Sequence, residues 1–396
     1  MGLPDVNINV VNGLEKTAEV DTSVSGLIAH ATEIAEKMPL GVPFAITSLD
    51  ELEAKGVNEA YDITGKVLLW HHVRDFYTTA AKGTMLYILP LASSVKMADM
   101  VDPAGSNISK LLTYAKGTIT LLAVTAMAEK ASTIVTNVGK AQQLYAWALA
   151  RHMPLNIILE GASFPATYTE APNIRQDGIA NRVTVVISQD PDVAAKDAAF
   201  AGYAQPALYM GTLAANTVNR SPARVRSGAL PVIKTAISNG KQEGTAGYYD
   251  DDQLGAIHDM GYVFMRTFIG KAGYYWSGDY TAVAATDDCD KVQKGRTLDK
   301  AIRIMYSVNV DELNDDVEID TSTGRMMPEV IKAYQKRCED AILEQMDDEI
   351  SGVAVYVDET QDVLATDKLK AQLAIVGHGY TANIDLEIGF TKTLKS

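Results

Sequence analysis

The chain is poor in cysteine, poor in positive charge and free of long apolar runs. Two cysteines, Cys289 and Cys338, occur in 396 residues. Two thiols make no disulfide framework, so they read as unpaired and suit a reducing cytoplasm. Lys and Arg number 35 against 50 Asp and Glu, giving a formal charge of −15. Such a field repels nucleic acid and anionic membrane, and neither is expected as a partner. No run approaches the roughly 20 apolar residues of a membrane helix. The longest, at 118–127, is short and holds small and polar residues. A basic segment followed by an apolar one is missing from the N-terminus, so no secretory signal is read.

Catalytic motifs are missing as well. There is no G-x-x-x-x-G-K-[ST] and no G-x-G-x-x-G for phosphate or dinucleotide. Gly161-Ala162-Ser163-Phe164 comes nearest to a nucleophile elbow and lacks the second glycine. No histidine pair has zinc-helix spacing, and no C-x-x-C occurs. His71 and His72 are adjacent, so they point to different helix faces and read as packing. Asp250-Asp251-Asp252 reads as a helix N-cap before 253–260. Asp287-Asp288-Cys289-Asp290 lacks the ligand spacing of a calcium loop. No catalytic, cofactor or metal residue is assigned, and no enzyme is expected. An α/β hydrolase-like enzyme with a scattered triad stays as the alternative.

Hydrophobic content of 47% and charged content of 21% fit a globular chain long enough for two or three domains. Residues 24–37 read as a helix and 43–47 as a strand. Ser48 with Glu51 reads as a capping box for a short helix ending near Gly56. Helical spacing runs over 66–79, with Leu69, Trp70, Val73, Phe76 and Tyr77. Apolar runs at 85–89 (closed by Pro90), 118–124, 155–159 and 183–188 read as strands, with helices at 139–152 and 206–218. Continuous apolar strands alternating with helices predict a mainly parallel α/β sheet. Residues 240–295 are rich in Gly and Tyr, with a hairpin expected around Gly270. Its Tyr and Trp fit a hairpin core, an interface anchor or a stacking platform. A helix follows at 296–306, where Asp299 and Arg303 are spaced for a weak i,i+4 ion pair.

The clearest helix is 328–346, opened by Pro328. Val330, Ile331, Tyr334, Cys338, Ala341, Ile342 and Gln345 form one stripe, with Lys332, Lys336, Arg337, Glu339 and Glu344 opposite. Strands are expected at 353–357, 369–376 and 384–390. The fold class is therefore α/β: a mainly parallel middle domain plus a small C-terminal α+β domain with extended terminal strand arms. The expected division is an arm at 1–20, a middle domain at 21–240, a hairpin region and helix at 241–325, and a final domain at 326–396.

Both termini alternate with period two. Val6, Ile8 and Val10 alternate with polar residues at one end, and Ile384, Leu386, Ile388 and Phe390 at the other. Each reads as a strand in search of a sheet edge, in its own subunit or in a neighbour. An arm of about six residues gains ~4 kcal/mol from four ladder bonds. Burying each of its three apolar side chains adds roughly 1.5–3 kcal/mol. Ordering the arm costs about 6–12 kcal/mol. The sum lies near zero, so single arms hold weakly while many arms in one lattice hold firmly.

Gly273-Tyr274-Tyr275-Trp276-Ser277-Gly278-Asp279-Tyr280-Thr281, then Gly295-Arg296 and Asp299-Lys300-Ala301-Ile302-Arg303, resembles contractile phage tail sheath proteins. The opening Gly2-Leu3-Pro4-Asp5-Val6-Asn7-Ile8 is similar to their N-terminal strand, and the order of regions matches. The long Asn-rich stretch that many sheaths carry before the last helix is missing. The resemblance implies a structural subunit of a virion tail or contractile injection system, assembled in the host bacterial cytoplasm. It implies stacked hexameric rings around an inner tail tube protein, capped by baseplate and terminator proteins. Terminal arms would add strands to neighbours, the outer domain would slide on contraction, and no nucleotide would be hydrolysed. The helix carrying Lys332, Lys336, Arg337, Glu339 and Glu344 would face the tube.

Overall fold

The computed structural model describes residues 20–127, 129–176, 178–382 and 384. One sheet is built from β1 (Ser25–His30), β2 (Phe44–Ile46), β3 (Leu86–Leu91), β4 (Leu121–Val124), β5 (Asn156–Glu160), β6 (Val183–Val186) and β7 (Tyr262–Val263). Its spatial order is β7-β6-β5-β4-β1-β3-β2. Every neighbouring pair is parallel except β2 with β3. The chain lays β3 on one side of β1, then crosses back to lay β4 on the other. This is a doubly wound arrangement, mostly parallel as the apolar runs predict.

The connections are filled by α1 (Leu49–Ala54), α2 (Glu59–Gly65), α3 (Leu69–Thr79), α4 (Ser106–Tyr114), α5 (Ile134–Leu149), α6 (Pro206–Ala214) and α7 (Asp251–Asp259). Helices α1, α2, α3 and α6 cover one face of the sheet, and α4, α5 and α7 the other. Leu27, Leu121 and Ala123 join the first core, while Ile28, Leu122 and Val124 join the second. Both sets are fully buried, so the strands read as unbroken apolar runs rather than alternating ones.

The helix expected at 24–37 is instead β1, in the middle of the sheet. A short apolar run is compatible with a buried strand or a buried helix, and periodicity alone does not separate them. Gly26 suits the strand: a Cβ there would lie 3.0 Å from Ile119. Pro90 does not close its strand, since β3 runs on to Leu91. The capping box at α1 is half formed. Ser48 Oγ accepts from Glu51 N at 3.4 Å, but the Glu51 carboxylate turns to Thr47 N and Oγ1. The box at α7 is complete, with Asp250 and Gln253 each accepting the other's backbone N–H.

After β7 the chain makes a hairpin of β8 (Met265–Phe268) and β9 (Lys271–Trp276). Gly270 takes φ +80 at its turn, a conformation open to glycine. Trp276 is 1% exposed, packs edge-on to Tyr209 at 5.0 Å, and donates from Nε1 to Thr212 Oγ1 at 3.1 Å. It is core, not a stacking platform.

The C-terminal module has helices α8 (Val292–Val310) and α9 (Pro328–Met346) and strands β10 (Ile350–Val357) and β11 (Ala371–Gly377). Its core holds Ala301, Ile304, Cys338, Ile342, Met346, Ile350 and Val355. The α9 stripe faces inward as its spacing predicts: Ile331, Cys338 and Ile342 are buried. Strands β10 and β11 pair antiparallel over the full length of β11.

Candidate functional site

Doubly wound sheets bind ligands beyond the carboxyl ends of their strands, where the winding reverses. Here that place lies past β1, β4 and β5, and polar side chains fill it. Glu160 ends β5 and is 1% exposed. Its carboxylate accepts Ala126 N at 2.6 Å and Ala204 N at 2.8 Å. Burial pushes its pKa up to about 7 against those two bonds. Glu129 accepts Met97 N at 2.9 Å and Thr133 Oγ1 at 2.8 Å. His30 Nε2 lies 2.8 Å from the Val95 carbonyl. The cavity left, lined by Glu129, Asn137, Glu160, Phe164 and Tyr262, measures about 10 Å³. That admits one water-sized guest and no substrate.

The adjacent histidines are equally committed. His71 is fully buried on α3, with Nδ1 2.8 Å from Asp62 Oδ2 and Nε2 3.3 Å from Lys196 Nζ. Lys196 then pairs with Glu59. An Asp–His pair usually suggests a base beside a nucleophile. Here lysine occupies the outer nitrogen, so the chain of bonds ends in an ion pair. Burial pushes His72 down to about 3, leaving it neutral. No group of three or more metal-ligating side chains occurs among the described residues. Asp287 accepts Cys289 N, and Asp290 pairs with Lys294, so that acidic run serves its own turn.

At the opposite end of the sheet, α8 lies across the amino ends of the strands. Arg296, Asp299, Lys300 and Arg303 are spaced i, i+3, i+4 and i+7, hence share one helix face. That face is buried: Arg296 is 3% exposed, Asp299 5% and Lys300 6%. Asp299 does not pair with Arg303 as its spacing suggests. It accepts Arg182 Nε at 3.1 Å, Asn156 Nδ2 at 2.9 Å and the Tyr145 hydroxyl at 3.3 Å. Lys300 donates to Glu349 Oε2 and the Gln345 carbonyl, both at 2.8 Å. Arg303 donates to the carbonyls of Gly117, Ile119 and Pro154 at 2.8–2.9 Å, tying α8 to the segments that enter β4 and β5. This polar joint fastens the C-terminal module to the sheet. Its sequence signal, four charges at helical spacing, is also that of a solvated helix face, which is why it was missed.

The C-terminal module carries the open surface. Strands β10 and β11 have only each other as neighbours among the described residues, so each offers an unpaired edge. Their outward face shows Tyr356 at 61% and Val376 at 63% exposure. The described chain begins and ends near one corner of this module. Val20 N donates to Gln345 Oε1 at 3.0 Å, at the end of α9. After β11, His378 Nδ1 lies 2.9 Å from Asn219 Nδ2, and Tyr380 bonds the Asn219 carbonyl. Asn219 also reaches the Asp348 carbonyl at 3.4 Å. Beyond this pin Ile384 is 71% exposed. Of the other expected arm residues, Val6, Ile8, Val10, Leu386, Ile388 and Phe390 lie outside the described residues. On α9, Lys332, Lys336, Arg337 and Glu344 are exposed, and Glu339 is half-buried. Lys336 pairs with Asp340, Arg337 with Glu312, and Glu339 accepts Val355 N at 2.8 Å.

Two family models match the chain: the DUF2586 N-terminal domain over residues 3–279 and the DUF2586 C-terminal domain over 288–395. The chain belongs to the DUF2586 family. The division between the two DUF2586 domains falls just before α8, where the polar joint begins. No curated protein matches the chain in sequence. Among solved structures, it is similar to a chain of the anti-feeding prophage (AFP) baseplate, 6-fold symmetrised. That match has TM-score 0.63 and 16% identity, covering 100% of both chains. A chain of the AFP baseplate in the contracted state gives 0.63 at 14% identity, covering 98% of each. A chain of the PVC sheath complex, an extracellular contractile injection system in the contracted state, gives 0.60 at 14% identity, covering 99% of this chain and 98% of that one. The DUF2586 chain therefore has the fold of chains found in contractile injection systems. No helix among the described residues is long and apolar enough to cross a membrane.

Proposed function

We propose that this protein is a non-enzymatic structural subunit of a contractile tail or injection sheath. It polymerises as stacked hexameric rings around an inner tube, and its terminal arms supply strands to neighbouring copies. The observation that carries this reading is the contrast between sheet edges. The outer strands of the seven-stranded sheet are three and two residues long. Those of the C-terminal pair are eight and seven residues long, and among the described residues neither has a strand on its outer side, although Glu339 accepts Val355 N on β10. Exposed long edges recruit strands, and short ones do not. Both tails depart from the module that holds these edges. Neighbours then grip each other by backbone ladders that tolerate rigid shifts of the bodies, and contraction draws on a metastable extended lattice without nucleotide. The arm residues Val6, Ile8, Val10, Ile384, Leu386, Ile388 and Phe390 make the contacts between copies. The outer side of α9, with exposed Lys332, Lys336, Arg337 and Glu344 and half-buried Glu339, meets the tube. Assembly takes place in the bacterial cytoplasm, with baseplate and terminator proteins at the ends.

Truncation tests the reading. Removing residues 1–12 leaves a folded monomer by circular dichroism and sedimentation, with no rods or rings by negative-stain microscopy. Full-length polymers from that truncation refute it. A second reading, a baseplate component, draws on the likeness to chains of the AFP baseplate. It predicts single rings that do not lengthen with concentration, where the sheath reading predicts stacks that do.

A further inference from the structure

The polar joint under α8 contains more cation than its carboxylates match. Arg182 pairs with Asp299 at 3.1 Å and Lys300 with Glu349 at 2.8 Å. Arg296 and Arg303 share the same buried face and have no salt-bridge partner among the described residues. Arg303 spends its Nη atoms on three carbonyls. Arg296 Nη2 reaches the carbonyls of Asn216 at 3.2 Å and Thr22 at 3.5 Å. Two donors are left over: Arg296 Nη1 and Arg303 Nε are buried without an acceptor among the described residues. Both arginines border one cavity of about 10 Å³, lined also by Thr22, Thr120, Asn156, Val218, Lys300 and Asp299, the last with its carboxylate held by Arg182.

A buried unpaired cation is costly, and an enclosed anion offsets that cost. The cavity selects by size: it has room for a monatomic or water-sized guest, and none for phosphate or a carboxylic acid. The Thr22 hydroxyl and the Lys300 ammonium add donors to its wall, while the Thr120 hydroxyl is spent on the Thr22 and Val24 carbonyls. We propose that this cavity is a binding site for a small monatomic anion of the chloride class. The anion sits between the Arg296 and Arg303 guanidiniums and locks the C-terminal module onto the amino ends of the sheet strands. The titration behaviour agrees, because burial pushes both Arg296 and Arg303 down to about 10, against the opposing pull of Glu349 and Asp299 on Arg296 and of Asp299 on Arg303. This site is independent of how the protein assembles.

The test is thermal unfolding of the full chain at fixed ionic strength, replacing gluconate stepwise by chloride or bromide. At an anion concentration about ten times the dissociation constant, mass action shifts the folding equilibrium roughly tenfold, seen as a saturable rise in melting temperature. Arg296→Met removes the guanidinium, so its melting temperature no longer responds to the anion. Should that variant fail to fold, crystals of the parent grown in bromide decide the matter. An anomalous peak between Arg296 and Arg303 supports the site, and a peak elsewhere or none overturns it. Equal melting in every anion, meaning that water alone fills the cavity, overturns it too.

Discussion

The seven-stranded body and the C-terminal module treat their strands in opposite ways. In the body, both faces of the sheet are covered and its two outermost strands are cut to three and two residues. In the module, one face of a two-stranded sheet rests on α8 and α9, and among the described residues neither long strand has a further strand beside it. The body is thus closed to further strands while the module invites them. The ligand crevice of the doubly wound fold is closed in the same spirit, by Glu160 and Glu129 bonding the backbone amides that a bound anion would use. On the proposed reading, a fold that in other proteins carries chemistry serves as a rigid block, and the module at its base supplies the contacts between copies.

The sharpest way to break this comparison is to cut the joint between the two parts. Asp299→Ala leaves Arg182 buried without its carboxylate, at a cost of about 3–5 kcal/mol. Chemical denaturation shows this as a lower midpoint, and a change below ~1 kcal/mol contradicts the joint. Next come the two surfaces themselves. Ile28→Ala, in the middle of the body, costs about 2–5 kcal/mol. Val376→Ala, on the open strand, changes monomer stability by less than about 0.5 kcal/mol. Equal losses at both positions erase the distinction between closed and open sheets.

A smaller effect distinguishes the sealed crevice. Glu160 binds its proton more tightly when folded than when unfolded, since burial lifts its pKa from 4.5 to about 7. Its contribution is fully present below pH ~4.5 and is lost as pH rises toward 7. Glu160→Gln removes that part of the pH dependence, which urea midpoints from pH 4.5 to 8 measure. An unchanged profile shows that the carboxylate is not where the strain lies. The smallest stability effect belongs to α9. Lys336→Glu with Arg337→Glu leaves the monomer's denaturation midpoint unchanged but weakens co-sedimentation with the tube. Unaltered tube binding removes α9 from that interface.

Much of this architecture was legible in the chain. Helix α9 begins and ends where Pro328 and its apolar stripe place it, because a solvated helix needs a clean two-sided pattern. The parallel strands were legible as apolar runs for the reason that makes them hard to tell from helices. That ambiguity misplaced β1, whose six residues are all buried and so show no alternation. The α8 joint was hidden differently. A charged face at helical spacing is ordinarily wet, and only its partners Arg182 and Glu349, 117 and 49 residues away in sequence, make it a buried one. The donor strands expected from alternation at the tails fall almost wholly outside the described residues, and nothing in residues 350–377 announced that their hairpin would have no third strand among the described residues.

Amide hydrogen exchange in the assembled particle tests the central claim most directly. The account predicts that the outward-facing amides of β10 and β11 other than Val355, whose N–H Glu339 already accepts, are fast in the monomer lacking residues 1–12 and become protected in full-length assemblies. Protection of those amides unchanged on assembly, with slowing elsewhere on the body instead, contradicts it.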